Sequence, residues 1–139
     1  EQLERQVLKQ QKKQNGDQHP DTIHALGNLA WTLTRMGEHY EAENLQTVVL
    51  ESRRSMYGDG HPDTVRAMWN LATTFHEMGR FEEAEVMHRQ VVEKRAEIFG
   101  ASHRLTILAR DSLQKTIDAL RAKGSAAPVA VQSLDTLIS

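Results

Sequence analysis

Histidine and asparagine are the residues of this chain whose chemistry could be put to use, and both recur at a fixed interval. His19, His61 and His103 stand 42 residues apart, and His24, His39, His76 and His88 complete the seven histidines. Metal ligation or general acid–base catalysis would need several imidazoles brought to one point. Recurrence at the same place in successive units spreads them along the molecule instead. It suits a capping or packing role at a helix entrance. His76-Glu77 is not followed by the second histidine that a zinc-protease helix requires. No glycine-rich phosphate loop, Ser/His/Asp grouping or paired-carboxylate pocket can be assembled. The chain therefore reads as non-enzymatic, with no catalytic residue, no metal site and no cofactor.

The elements that position these residues follow from the same interval. His19-Pro20-Asp21-Thr22 returns as His61-Pro62-Asp63-Thr64, and residues 19–60 and 61–102 are identical at 18 of 42 positions. The identities include Asn28-Leu29-Ala30 with Asn70-Leu71-Ala72, Met36-Gly37 with Met78-Gly79, Ala42 with Ala84, and Arg53 with Arg95. A fixed period of this length marks stacked supersecondary units.

Each unit reads as two helices. Ile23, Leu26, Leu29, Ala30, Leu33 and Met36 fall at the 3.6-residue spacing of one helix face. Pro20 suits the first helical position, Asp21 meets the positive end of the helix dipole, and Gly37 ends the helix. A second helix runs from about Tyr40 to Tyr57, with Ala42, Leu45, Val48, Val49 and Met56 inward and Gly58 closing it. The next unit repeats the plan as Pro62–Met78, a turn at Gly79, and Phe81–Phe99.

The ends look like half-units. Leu3, Val7 and Leu8 align with Leu45, Val49 and Leu50, and residues 103–123 open a diverged third copy. The expected organisation is a half-repeat at 1–16, repeats at 19–58 and 61–100, and a degenerate half-repeat at 103–123, together an array over 1–123. Residues 124–139 form a linker, opened by Gly124-Ser125-Ala126-Ala127-Pro128, and then a short amphipathic stretch. Its Val129, Val131, Leu134, Leu137 and Ile138 are spaced to cap helix 103–123, with disorder or packing on a neighbouring molecule as the alternatives. The chain begins at Glu1 inside a repeat, so it reads as a piece of a larger protein.

Composition excludes several classes. With 39% apolar and 26% charged residues the chain is ordinary for a packed protein, and its net charge of −2 is interspersed. A nucleic-acid binder would concentrate Lys and Arg on one face, so no nucleic-acid partner is expected. No apolar run approaches the ~20 residues of a membrane span, so no membrane partner is expected either. The absence of cysteine fits a reducing, cytoplasmic compartment.

The paired helices, the small residue at Ala42 and Ala84, and the turn Gly79-Arg80-Phe81-Glu82-Glu83-Ala84 resemble the tetratricopeptide repeat. The 42-residue form with His-Pro-Asp-Thr and Asn-Leu-Ala is similar to its kinesin light chain subclass. The resemblance covers roughly residues 1–122 and implies an all-α, right-handed α-solenoid of antiparallel helix pairs. It departs at one turn, where Phe81 corresponds to His39, with Tyr40 one place later, so packing there should differ between units.

Such arrays bind a protein or peptide segment along a concave groove lined by each unit's first helix. Here the resemblance implies His24, Gly27, Asn28, Trp31, Thr34 and Arg35, then Arg66, Trp69, Asn70, Thr73, His76 and Glu77. Leu108, Asp111, Ser112 and Lys115 would follow from the third unit. The amides of Asn28 and Asn70 offer a donor and an acceptor, so they suit a ligand's main chain, or else they tie helices together. Trp31 and Trp69 replace Thr73 and Gly27 of the other copy, and read as interface anchors or as gap fillers beside Gly27. Arg35 and Arg66 could attract an acidic peptide, or be solvated. The implied role is a protein-interaction scaffold within an adaptor, signalling or transport protein. The alternative is self-association, with the unmatched terminal half-units stacking end to end.

Overall fold

The computed structural model describes residues 1–125, which form six helices: α1 (Gln2–Asn15), α2 (Pro20–Arg35), α3 (His39–Tyr57), α4 (Pro62–Glu77), α5 (Phe81–Phe99) and α6 (Arg104–Ser125). Each helix packs chiefly on the one before and the one after, and α2, α4 and α6 also touch in series. This is an all-α solenoid of helix pairs, a row of neighbours with no contact between distant parts of the described chain.

The helix ends follow the sequence chemistry. His19 and His61 are N-caps, whose Nδ1 atoms accept from the backbone N–H of Asp21 (3.1 Å) and Asp63 (3.0 Å), with Pro20 and Pro62 in the first turn. His103 does the same for Leu105 at 3.1 Å. In this arrangement Nδ1 is the acceptor and Nε2 carries the ring N–H. The expectation of capping at the helix entrances therefore holds. At the far end of α2 the Glu38 N–H reaches Leu33 O and the Gly37 N–H reaches Thr34 O, a Schellman pair that requires the positive φ of Gly37 (84°). Gly79 (77°) closes α4 with the same bonds, from Arg80 to Phe75 O and from Gly79 to His76 O.

The core runs between the helices as one strip. Ile23, Leu29, Leu33, Val65 and Leu71 are almost wholly buried, each side chain worth about 1.5–3 kcal/mol of transfer free energy. Ala30, Ala42, Ala72, Ala84 and Ala109 are fully covered, and a larger side chain at these places would hold the helices apart. Two expected inward residues lie outside the strip. Met36 is exposed because it caps α2 beyond the last buried turn, and Val48 is exposed because Val49 and Leu50 take the covered face of α3.

Polar side chains join successive units. Thr34 Oγ1 lies 3.0 Å from Thr74 Oγ1, and His76 Nδ1 lies 2.8 Å from Thr116 Oγ1. Arg80 bonds Glu43 of the preceding unit at 2.7 Å as well as its own Glu83, and both carboxylates raise the pKa of its guanidinium. At the divergent turn Phe81 packs edge-on against His76 (5.0 Å), whereas Tyr40 points into solvent. Helix α6 continues through Gly124 to Ser125, where a linker was expected to open. The expected cap over 129–138 lies outside the described residues.

Candidate peptide-binding groove

The first helices of the units, α2, α4 and α6, share one face, and a cavity of about 320 Å³ opens on it. Helix α2 contributes His24, Gly27, Asn28 and Trp31 to the walls, and α4 contributes Arg66, Trp69 and Asn70. Leu105 and Leu108 of α6 close one side, and Gln46, Val49 and Arg53 of α3 with Arg95 of α5 reach in from beneath. Eight of the sixteen residues expected at a binding face are therefore together: His24, Gly27, Asn28, Trp31, Arg66, Trp69, Asn70 and Leu108.

The other eight do not line it, His76, Glu77, Asp111, Ser112 and Lys115 among them, and three show why. Arg35 is exposed on the last turn of α2, away from the cavity. Thr73 donates to Trp69 O at 2.9 Å, a bond within its own helix. Thr34 is a correction, because it is buried in the joint with Thr74 and Gln46 rather than presented to a ligand. Its 3.6-residue phase places it on the edge of the apolar stripe, where the next helix covers it.

The tryptophans meet across the two units, with ring centroids 6.0 Å apart and planes inclined by 30°. Trp69 also donates from Nε1 to Ser112 Oγ at 3.4 Å and lies beneath the Arg95 guanidinium, 5.5 Å from ring centroid to Cζ. Among the described residues the side-chain amides of Asn28 and Asn70 hold no hydrogen bond. Asn28 is exposed and Asn70 half-buried, so both present a donor and an acceptor to the cavity.

Two residues of the floor escaped the sequence reading. Arg53 and Arg95 are 7% and 4% exposed, and each spends one Nη on a backbone carbonyl, of Asp63 (3.3 Å) and Leu105 (3.0 Å). Burial lowers both pKa values. For Arg53, Asp63 and Tyr57 oppose the shift and Arg66 adds to it. The signal was present, since an arginine at the same place in both copies, flanked by core positions, is poorly explained by a solvated helix face. Behind them His88 is 2% exposed with Nδ1 unpartnered, and desolvation first, then neighbouring His76 and Arg95, pushes its pKa down to about 4. Among the described residues no group of three His, Asp or Glu comes together to hold a metal, and no helix is long and apolar enough to cross a membrane.

Stacked helix pairs that leave a lined trough on one face define a helical-repeat scaffold. The chain belongs to the tetratricopeptide repeat family, whose model matches residues 3–55 and 32–97. Repeats of this family serve generally as protein-interaction scaffolds. In fold the array is of the kinesin-light-chain type: it superposes on the nearly identical TPR-like repeats of a candidate kinesin light chain from Podosopora anserina with a TM-score of 0.80. That likeness is at 24% identity and covers 85% of this chain and 56% of the other. A singly substituted form of the same repeats gives a TM-score of 0.79 at 24% identity over the same shares. The chain thus spans little more than half the length of these structures. No curated protein matches the sequence.

Proposed function

We propose that the chain captures a peptide or an extended segment of a partner protein in the trough formed by α2, α4 and α6, as part of a larger cytoplasmic adaptor or signalling protein. One observation carries this reading. The unengaged amides of Asn28 and Asn70 face the same cavity as the Trp31–Trp69 pair, so main-chain hydrogen bonding and an apolar anchor are available together. An amide that tied the scaffold together would be bonded within it. The double substitution Asn28→Ala, Asn70→Ala should leave helicity and melting nearly intact while weakening partner capture about tenfold or more, the worth of two hydrogen bonds. A pull-down from source cells with both forms measures it. Unfolding of the double variant would show the amides to be structural.

A second reading, end-to-end self-association, is favoured by the terminal helices. Val7 is 43% exposed, whereas its counterpart Val49 is 3% exposed, and Ile107 is 46% exposed against 1% for Val65. One end offers a second-helix face and the other a first-helix face, so copies could stack head to tail. Sedimentation over a wide range of concentration tests this. A strict monomer would end it.

A further inference from the structure

We propose that the cavity beside Gly27 receives a phosphorylated serine or threonine side chain of the captured segment, in preference to aspartate or glutamate. This rests on the groove reading above and names its ligand chemistry. The cavity is lined by three guanidiniums, Arg53, Arg66 and Arg95, and by no aspartate or glutamate. None of the three is in an ion pair among the described residues. Asp63 gives Arg53 its backbone carbonyl, not a carboxylate hydrogen bond.

Fixed forks make Arg53 and Arg95 a receptor rather than a diffuse field. The Nη1 bonds of Arg53 and Arg95 to Asp63 O and Leu105 O set the planes of the two guanidiniums and leave other N–H groups unspent. Arg53 Nη2 lies 3.9 Å from where a Cβ of residue 27 would stand, so it borders the space that this glycine leaves open. The aligned place in the next unit is filled by Trp69.

Charge decides between ligands. A single carboxylate would neutralise one of the three guanidiniums that line the cavity and leave the others unmatched. A phosphomonoester carries about −1.5 to −2 at neutral pH and three strong acceptor oxygens. Its charge and its number of acceptors both suit a wall lined by several guanidiniums better.

The test uses three degenerate peptide libraries with a fixed central phosphoserine, glutamate or serine, passed over the immobilised full chain. Tryptophan fluorescence is the second readout, because both tryptophans of the chain, Trp31 and Trp69, wall the cavity. The phosphoserine library should be retained at least about tenfold over the glutamate one and should change the emission. Arg66→Gln, at an exposed position, should cut that preference several-fold. Gly27→Leu keeps every cation, suits a helix, and fills the space, so it should abolish retention. Circular dichroism on both variants verifies folding. Equal retention of glutamate and phosphoserine, both lost in Gly27→Leu, overturns the phosphate assignment and leaves the groove reading standing. Retention of phosphoserine unchanged in both variants also overturns the assignment, because the anion then sits elsewhere. If the wild-type chain retains no library above the level of Gly27→Leu, both readings fall.

Discussion

Trp31 and Trp69 stack across two repeat units at 6.0 Å, although neither has a tryptophan at its counterpart in the other unit. The pair is asymmetric. Trp69 packs on the core, bonds Ser112 and lies under Arg95, while Trp31 is half-buried at the rim. Trp69→Ala should therefore cost about 2–3 kcal/mol, and Trp31→Ala about 1 kcal/mol, mainly the lost stack and some apolar area. Urea unfolding of the two variants measures the difference. Equal costs would mean that Trp69 is not anchored from beneath.

Gln46 and His88 occupy the same place in successive units, and both leave one buried atom without a partner, Oε1 and Nδ1. The difference is that His88 can titrate. Desolvation first, then His76 and Arg95, hold its folded pKa at about 4, against about 6.5 in the unfolded chain. The unfolded state then binds a proton that the folded state refuses. Stability should be fully present above about pH 6.5 and fall as pH drops toward 4, by up to about 3 kcal/mol. His88→Gln, which installs the residue of the preceding unit, should flatten that part of the profile. Urea midpoints at several pH values for both forms check it, and an unchanged slope in the variant would assign the effect to other groups.

Much of the fold was legible because its signals are local. Pro20 and Pro62 at helix starts, Gly37 and Gly79 at helix ends, and apolar residues three or four places apart are read from neighbours in the chain alone. The floor of the groove was less legible. Within one helix Arg53 and Arg95 carry no sign of burial; only their recurrence at the same place in both copies hints at the contact that the following helix makes with them. Thr34 went wrong for the same reason. Its hydroxyl meets Thr74, forty positions later, and only the angle between α2 and α4 decides whether it faces ligand or neighbour.

That Thr34–Thr74 contact is itself testable. Both side chains are buried, Thr34 also bonds Ala30 O, and Gln46 Nε2 approaches Thr34 Oγ1 at 3.4 Å. Thr74→Val keeps the shape and removes one partner, which should cost about 1–2 kcal/mol. Thr34→Val should cost more, since it also strands the Gln46 amide. The double variant should be less destabilised than the sum of the two by about 0.5–1 kcal/mol, the coupling of a direct pair. Strict additivity in a double-mutant cycle would mean that the hydroxyls do not bond.

His61 serves two neighbours at once, and substitution can separate them. Its Nδ1 caps α4 through the Asp63 N–H, and its ring stacks on Tyr57 of α3 with centroids 4.4 Å apart and planes 22° from parallel. His103 repeats this arrangement on Phe99 at 4.5 Å, whereas Asn15 stands where His19 would need a ring. His61→Ala removes cap and stack together and should cost about 1.5–2 kcal/mol. His61→Asn restores a good capping acceptor without the ring, so it should recover about 1 kcal/mol of that loss. The remainder is the stack, and it should vanish in a Tyr57→Ala background. If His61→Asn is as damaging as His61→Ala, the imidazole works by packing alone and the 3.0 Å contact to Asp63 contributes nothing to stability.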